Sequence, residues 1–226
     1  MDNLIRVLDL LFGKDPELRQ IIGVTLQMSV LSTSISSLIG IPLGVLLGGN
    51  EFRSKRWMQR ITNTLMGLPP VVAGLAVFLV LSRSGPLGKF KLLYSVTAMV
   101  VAQVILITPI MTGLTANVIS IPAPRIRETA LGMGISRLRQ TLYLIYECRV
   151  QLLSTVLAGF GRAIAEVGAV QIVGGNIQFK TRVMTTAIMM QTNMGHFHFA
   201  IVLGAVLLII SFMINTLVNL LQLKEP

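Results

Sequence analysis

The chain has 226 residues, 53% of them hydrophobic and only 12% charged, with a mean hydropathy of +0.77. A soluble domain usually carries about 25% charged residues, so this composition excludes an ordinary water-soluble fold as well as a disordered chain. The net charge of +10 does not require a polyanionic partner, because loop Lys and Arg set the orientation of membrane proteins, and 6% aromatics without an interleaved basic stripe make no case for nucleic acid.

In chain order, residues 1–20 come first as an outer segment. Leu4, Ile5, Val7, Leu8, Leu11 and Phe12 are interrupted there by Asn3, Arg6 and Asp9. That pattern suits a short interfacial helix or a frayed terminus, and it lacks the basic leader and unbroken apolar run of a cleavable signal. Gln20 to Asn50, Ile61 to Ser82, Leu92 to Pro124 and Val183 to Leu223 contain no Asp, Glu, Lys or Arg. A bilayer crossing needs about 20 mostly apolar residues. Five spans are expected, at about 21–48, 61–82, 93–119, 152–175 and 199–223. The fold class is therefore an all-α polytopic membrane helical bundle, with residues 1–226 forming one transmembrane domain.

The first span carries Gly40, Gly44 and Gly48 at four-residue spacing, a small stripe that admits a close helix neighbour, and Pro42 as a potential kink. It also carries Ser29, Ser32, Thr33, Ser34, Ser36 and Ser37. Ser32 and Ser36 are candidates for lining a path, although such hydroxyls commonly bond carbonyls one turn back instead. Residues 121–149 form the longest polar insertion. Pro122 and Pro124 stop the third span, Arg125 to Met133 is built of helix formers, Gly134 offers a reversal and Ser136 an N-cap for a second helix running to Arg149. This segment reads either as a rigid projection or as a helical hairpin lying on lipid with Leu131, Leu138 and Leu142 buried.

The fourth span contains Arg162 and Glu166. An ionised group at mid-bilayer costs about 2.5 to 3.5 kcal/mol on insertion scales, so something must offset both. Their i, i+4 spacing would put them on one helix face, as a structural pair, a gate, or a contact between Arg162 and an anion in transit. Gly174, Gly175 and Asn176 end that span, as a plain stop or as an outer vestibule. His196 and His198 lack a third ligand, so no metal site is expected. Cys148 stands beside Arg149, which suggests either an activated thiol or an inert one. Ten Lys and Arg fall on the side of 51–60, 120–150 and Lys224, against eight on the other, which favours an outside N-terminus and a cytoplasmic C-terminus.

Glu128-Thr129-Ala130, followed by three residues and then Gly134, resembles the EAA loop of ABC importer permeases; the usual proline ending is replaced by Leu144-Ile145-Tyr146-Glu147. Leu68-Pro69-Pro70-Val71-Val72-Ala73-Gly74-Leu75, Ser84-Gly85-Pro86-Leu87-Gly88 and Gly161-Arg162-Ala163-Ile164-Ala165-Glu166-Val167-Gly168-Ala169 resemble permeases for tetrahedral oxyanions. Val173-Gly174-Gly175-Asn176-Ile177 and Arg182-Val183-Met184-Thr185-Thr186-Ala187 are most similar to the tungstate branch. The resemblance implies a type I importer permease, not an enzyme, in the cytoplasmic (inner) membrane. It implies transport of tungstate, or next molybdate, by alternating access, with sulfate or another small solute as the alternative. Residues 121–149 become a cytoplasmic coupling loop, with Glu128, Thr129, Ala130, Gly134, Ser136 and Arg137 facing an ATPase. Arg162, Glu166, Gly168, Asn176, Ser32 and Ser36 become path or gate candidates. The implied partners are a second copy of the chain, two cytoplasmic ATP-binding-cassette subunits, and an extracytoplasmic oxyanion-binding protein. No cofactor is expected on the chain itself, which has no Gly-x-x-x-x-Gly-Lys-Ser/Thr motif; ATP and magnesium would sit on the partner ATPase. A channel or scaffold without an ATPase, and an intramembrane hydrolase, are the competing classes. The latter lacks a histidine within a span core to serve as base.

Overall fold

The structure is a computed structural model that describes residues 16–223, with side chains through residue 216. The expected interfacial segment before Pro16 and Lys224 lie outside the described residues. Ten α-helices run through the described chain: α1 Pro16–Gly49, α2 Lys55–Met66, α3 Pro70–Leu81, α4 Val96–Ser120, α5 Ala123–Gly132, α6 Arg137–Glu147, α7 Arg149–Ile164, α8 Gly168–Gly174, α9 Met184–Asn193 and α10 Phe197–Leu223. No strand occurs among the described residues. α1, α4 and α10 are each long and apolar enough to cross a bilayer, and the number of candidate spans rises to as many as five if the α2–α3 and α7–α8 pairs each count as one broken span.

The two pairs correct the expectation of unbroken second and fourth spans. The helix breaks between α2 and α3 at Gly67-Leu68-Pro69, where Pro69 is the N-cap and Pro70 the first helical residue. Proline supplies no N–H to continue a ladder and holds its predecessor extended. A second break separates α7, which ends at Ile164, from α8, which begins at Gly168. There the ladder is interrupted by a side chain: Glu166 Oε1 accepts the Ala169 N–H at 3.2 Å, and the Thr185 hydroxyl donates to the Glu166 carbonyl at 2.8 Å.

Contacts divide the described residues into two compact units, one of residues 16–31, 69–103 and 163–223, the other of 32–68 and 104–162. In the first, Leu18, Ile21, Met184, Ala187, Leu203 and Val206 form an apolar cluster that joins the start of α1 to α9 and α10. α3 lies against α8, and a Cβ on Gly74 would come within 2.7 Å of Ala169 Cα. In the second, Val45, Ile119, Ala123, Leu144, Cys148 and Leu152 cluster where α1, α4, α5, α6 and α7 meet. The small stripe of α1 behaves as its spacing predicts: Gly40, Gly44 and Gly48 lie directly on α4, against Met111, Thr115 and Ala116.

Candidate functional site

In the second unit, α5, a short turn and α6 form a folded knuckle. α5 begins at Ala123, just past Pro122, and ends at Gly132; Gly134 turns the chain at φ +68°, and α6 begins at Arg137. The turn is closed by the Gly134 N–H on the Leu131 carbonyl at 3.2 Å and the Ile135 N–H on the Ala130 carbonyl at 2.9 Å. Ser136 holds the N-cap position, but its hydroxyl does not cap α6. Gln140 reaches back instead, donating from Nε2 to the Ile135 carbonyl at 2.8 Å. Of the expected coupling residues, Ala130 is buried, while Glu128, Thr129, Gly134, Ser136 and Arg137 are exposed. Leu131, Leu138 and Leu142 are exposed rather than covered by the chain.

The knuckle is anchored to the end of α1. Arg127 Nη2 donates to the Gly49 carbonyl at 2.8 Å, one of the terminal carbonyls a helix leaves without an internal donor. Beside it, Lys55 Nζ lies 2.7 Å from Glu51 Oε1, and this ammonium holds the Glu51 carboxyl below the usual carboxylate range. Gly49, Asn50, Glu51, Arg127, Arg137 and Gln140 help line a small cavity of about 200 Å³ between α5 and α6. A larger, mainly apolar groove on the knuckle is lined by Thr129, Met133, Tyr143 and Tyr146. Cys148 is buried, and burial pushes its thiol up. Arg149 lies over the Tyr146 ring, 4.3 Å from its centroid, so the activated thiol is not what the structure presents.

The path and gate candidates fall in different places. Ser32 and Ser36, in the second unit, are fully buried. The Ser36 hydroxyl makes no hydrogen bond, while elsewhere on α1 Ser37 and Thr25 bond carbonyls one turn back, at 2.7 Å each. If Ser36 serves packing alone, Ser36→Ala removes a buried polar atom without a partner. Stability should then hold or rise by about 1 kcal/mol, with uptake unchanged. A loss of uptake at unchanged melting temperature would place Ser36 on the path.

Arg162 lies in the last turn of α7 and Glu166 beyond its end. The two therefore do not stand on one helix, because α7 ends at Ile164, and one carboxylate oxygen of Glu166 accepts the Ala169 amide described above. Gly168 opens α8 against Val71. Asn176 has a left-handed backbone at φ 50°; its Oδ1 accepts from the Thr186 hydroxyl at 3.0 Å and its Nδ2 faces Met190 Sδ at 3.4 Å. Of the expected vestibule, the Gly175 N–H is engaged internally on the Gln171 carbonyl, as is the Ile177 N–H that follows it, on the Thr181 hydroxyl. Sequence reasoning missed a cluster in the same unit, where Arg182 forms a salt bridge with Glu17 and Gln178 Nε2 donates to Glu17 at 2.8 Å. Glu17 lies 161 residues from Gln178, and no local periodicity connects it to the other two. His196 Nδ1 lies 3.0 Å from Gln191 Oε1. No cluster of three metal-ligating side chains occurs among the described residues.

Comparison with known proteins supplies what this geometry alone does not. Residues 40–224 match the model of a family described as binding-protein-dependent transport system inner membrane component. A tungstate uptake system permease protein from Peptoclostridium acidaminophilum is 42% identical over 95% of this chain and 94% of its own length. Its Campylobacter jejuni namesake is 39% identical over 98% and 92%. A probable anion ABC transporter permease protein from Haloferax volcanii is 38% identical over 87% of each.

Proposed function

The chain belongs to the family of binding-protein-dependent transport system inner membrane components, and from that premise we propose that it is the permease subunit through which tungstate enters the cell. As a multi-pass inner-membrane subunit of an ABC importer it works with an ATPase and a substrate-binding protein. Tungstate is the specific cargo in this reading, and the observation that carries it is 42% identity to a tungstate uptake permease along nearly the full length of both chains.

Two copies of the chain would form the path, because one five-span subunit encloses only half of it. Each knuckle would meet one ATPase subunit, which holds ATP and magnesium. Glu128, Thr129, Gly134, Ser136 and Arg137 would then lie at or beside the contact. The knuckle and the C-terminus would be cytoplasmic and the N-terminus outside. ATP binding would draw the two knuckles together and turn the bundles outward, and hydrolysis would reset them. The broken fourth span suits this role, since a break at membrane depth is tolerated where protein or a water-filled cavity covers it. Glu166, Gly168 and Arg162 lie at or beside that break and would act as hinge or gate, not as a deep anion trap.

The test is reconstitution of permease, ATPase and binding protein in liposomes, with the binding protein loaded in turn with tungstate, molybdate or sulfate. Tungstate should give the largest stimulation of ATP hydrolysis and matching uptake into the lumen. Stimulation by sulfate alone would overturn the assignment of cargo, and an ATPase bound on the face opposite the knuckle would overturn the coupling scheme.

A further inference from the structure

α2 and α3 together form the second candidate span, yet they differ sharply in composition. α3 is apolar throughout, Pro-Val-Val-Ala-Gly-Leu-Ala-Val-Phe-Leu-Val-Leu. α2 carries Gln59, Thr62, Asn63 and Thr64 within twelve residues and buries none of its side chains fully. In a membrane protein, polar side chains persist where they face protein or water rather than lipid tails. The helical period separates them accordingly. Trp57, Ile61 and Leu65 recur every four residues as an exposed apolar stripe, while Gln59, Thr62 and Met66 lie on another face.

That second face meets α4. A Cβ added at Gly113 would lie 2.3 Å from Met66 Sδ, so the two helices touch there. Beside the contact is a cavity of about 210 Å³, lined by Gln59, Thr62, Asn63 and Asn117 together with Leu47, Gly113 and Ala116. No carboxylate borders it. Three primary amides and one hydroxyl belong to its lining, Gln59 and Thr62 half-buried and Asn63 and Asn117 at its exposed edge, and no hydrogen bond among the described residues engages those four side chains. A water occupies about 30 Å³ in the liquid, so the space admits a five-atom tetrahedral anion with part of its hydration.

Charge decides what such a cavity attracts. α2 opens with Lys55, Arg56 and Arg60, of which Glu51 pairs only with Lys55. A cation would meet that positive field and no carboxylate, whereas a dianion would be drawn in and then met by N–H and O–H donors. Neutral donors can replace hydration water without the ion pairs that would retain a dianion, which is what a site along a path requires. Position fits release. The bond from Arg127 to Gly49 fixes the end of α1, six residues before α2, to the knuckle, and Asn117 lies within the last turn of α4.

We infer that this cavity is a low-affinity oxyanion site on the knuckle side of the path, where the amides of Gln59, Asn63 and Asn117 and the hydroxyl of Thr62 stand in for water around the anion. The inference rests on the function proposed above and names a binding site for it. Asn63→Asp and Asn117→Asp preserve shape but put a carboxylate in the cavity, and Thr62→Val removes a donor with little change in volume. In liposomes containing the whole complex, each Asp variant should lower tungstate uptake at least tenfold while ATP hydrolysis stimulated by tungstate-loaded binding protein stays within twofold of wild type. Asn63→Gln, which keeps the amide, should retain most of the uptake. If an Asp variant fails to assemble, Thr62→Val decides, with uptake reduced threefold or more at normal ATP hydrolysis. Wild-type uptake in the Asp variants, or in Thr62→Val where they do not assemble, overturns the site and leaves the transport function intact. Wild-type complex that carries no tungstate, molybdate or sulfate overturns both.

Discussion

Gly134→Val is expected to leave the protein inserted in the membrane and to cut recovery of its ATPase partner about five- to thirtyfold, whereas Gly134→Asn should come close to wild type. The reason is backbone conformation, not crowding. Gly134 sits at φ +68°, and a Cβ there would meet nothing within 4 Å. A left-handed residue with a Cβ costs about 1 to 2 kcal/mol, most for β-branched side chains and least for Asn and Asp. At about 1.4 kcal/mol per tenfold, this strain accounts for the expected loss if the chain must hold the native turn to bind. If the turn relaxes instead, the two bonds that close it, from Gly134 to Leu131 and from Ile135 to Ala130, are strained first, and α6 moves against α5. Co-purification with the ATPase and stimulated ATP hydrolysis measure the effect. Equal losses for Val and Asn would show that any side chain disturbs the contact, and no loss for Val would remove the knuckle from coupling.

The sequence exposes those parts of this molecule that depend on neighbours in the chain. Four of the five expected spans follow from charge-free stretches, the α1–α4 contact from glycines one turn apart, and the knuckle from two prolines, a run of helix formers and a glycine. Breaks in spans were less visible. Pro69-Pro70 marks the first in retrospect, but hydropathy runs straight across it. The second depends on Glu166 bonding an amide three residues on and on Thr185 bonding a carbonyl nineteen residues back. Counting i to i+4 from Arg162 presumes a helix that has already ended at Ile164. The Glu17, Gln178 and Arg182 cluster and the cavity between α2 and α4 join residues distant in sequence. Each of their members, read singly, looks like an ordinary polar residue near a span end.

The other large effect concerns the α1 stripe. Gly48→Ala is expected to lower the melting temperature of the purified protein clearly, and Gly44→Ala combined with it to abolish recovery of folded material. A Cβ at Gly48 would lie 2.4 Å from the Ala116 carbonyl oxygen and 3.0 Å from Ile119 Cβ. At Gly44 it would lie 2.4 Å from Thr115 Cβ and 2.7 Å from the Thr112 carbonyl oxygen. No rotamer change relieves a clash with a backbone oxygen, so the helices must separate. Separation would also open the Val45, Ile119 and Leu144 cluster where α5 and α6 are seated. Overpacking of this kind costs about 1 to 3 kcal/mol per site, more than the roughly 1 kcal/mol that Gly→Ala gains in helix propensity. Gly23 supplies the control on the same helix, because a Cβ there would meet nothing within 4 Å. Gly23→Ala should therefore hold or raise the melting temperature. If Gly48→Ala matched Gly23→Ala in stability, the close approach of α1 and α4 would not be what holds this part of the bundle together.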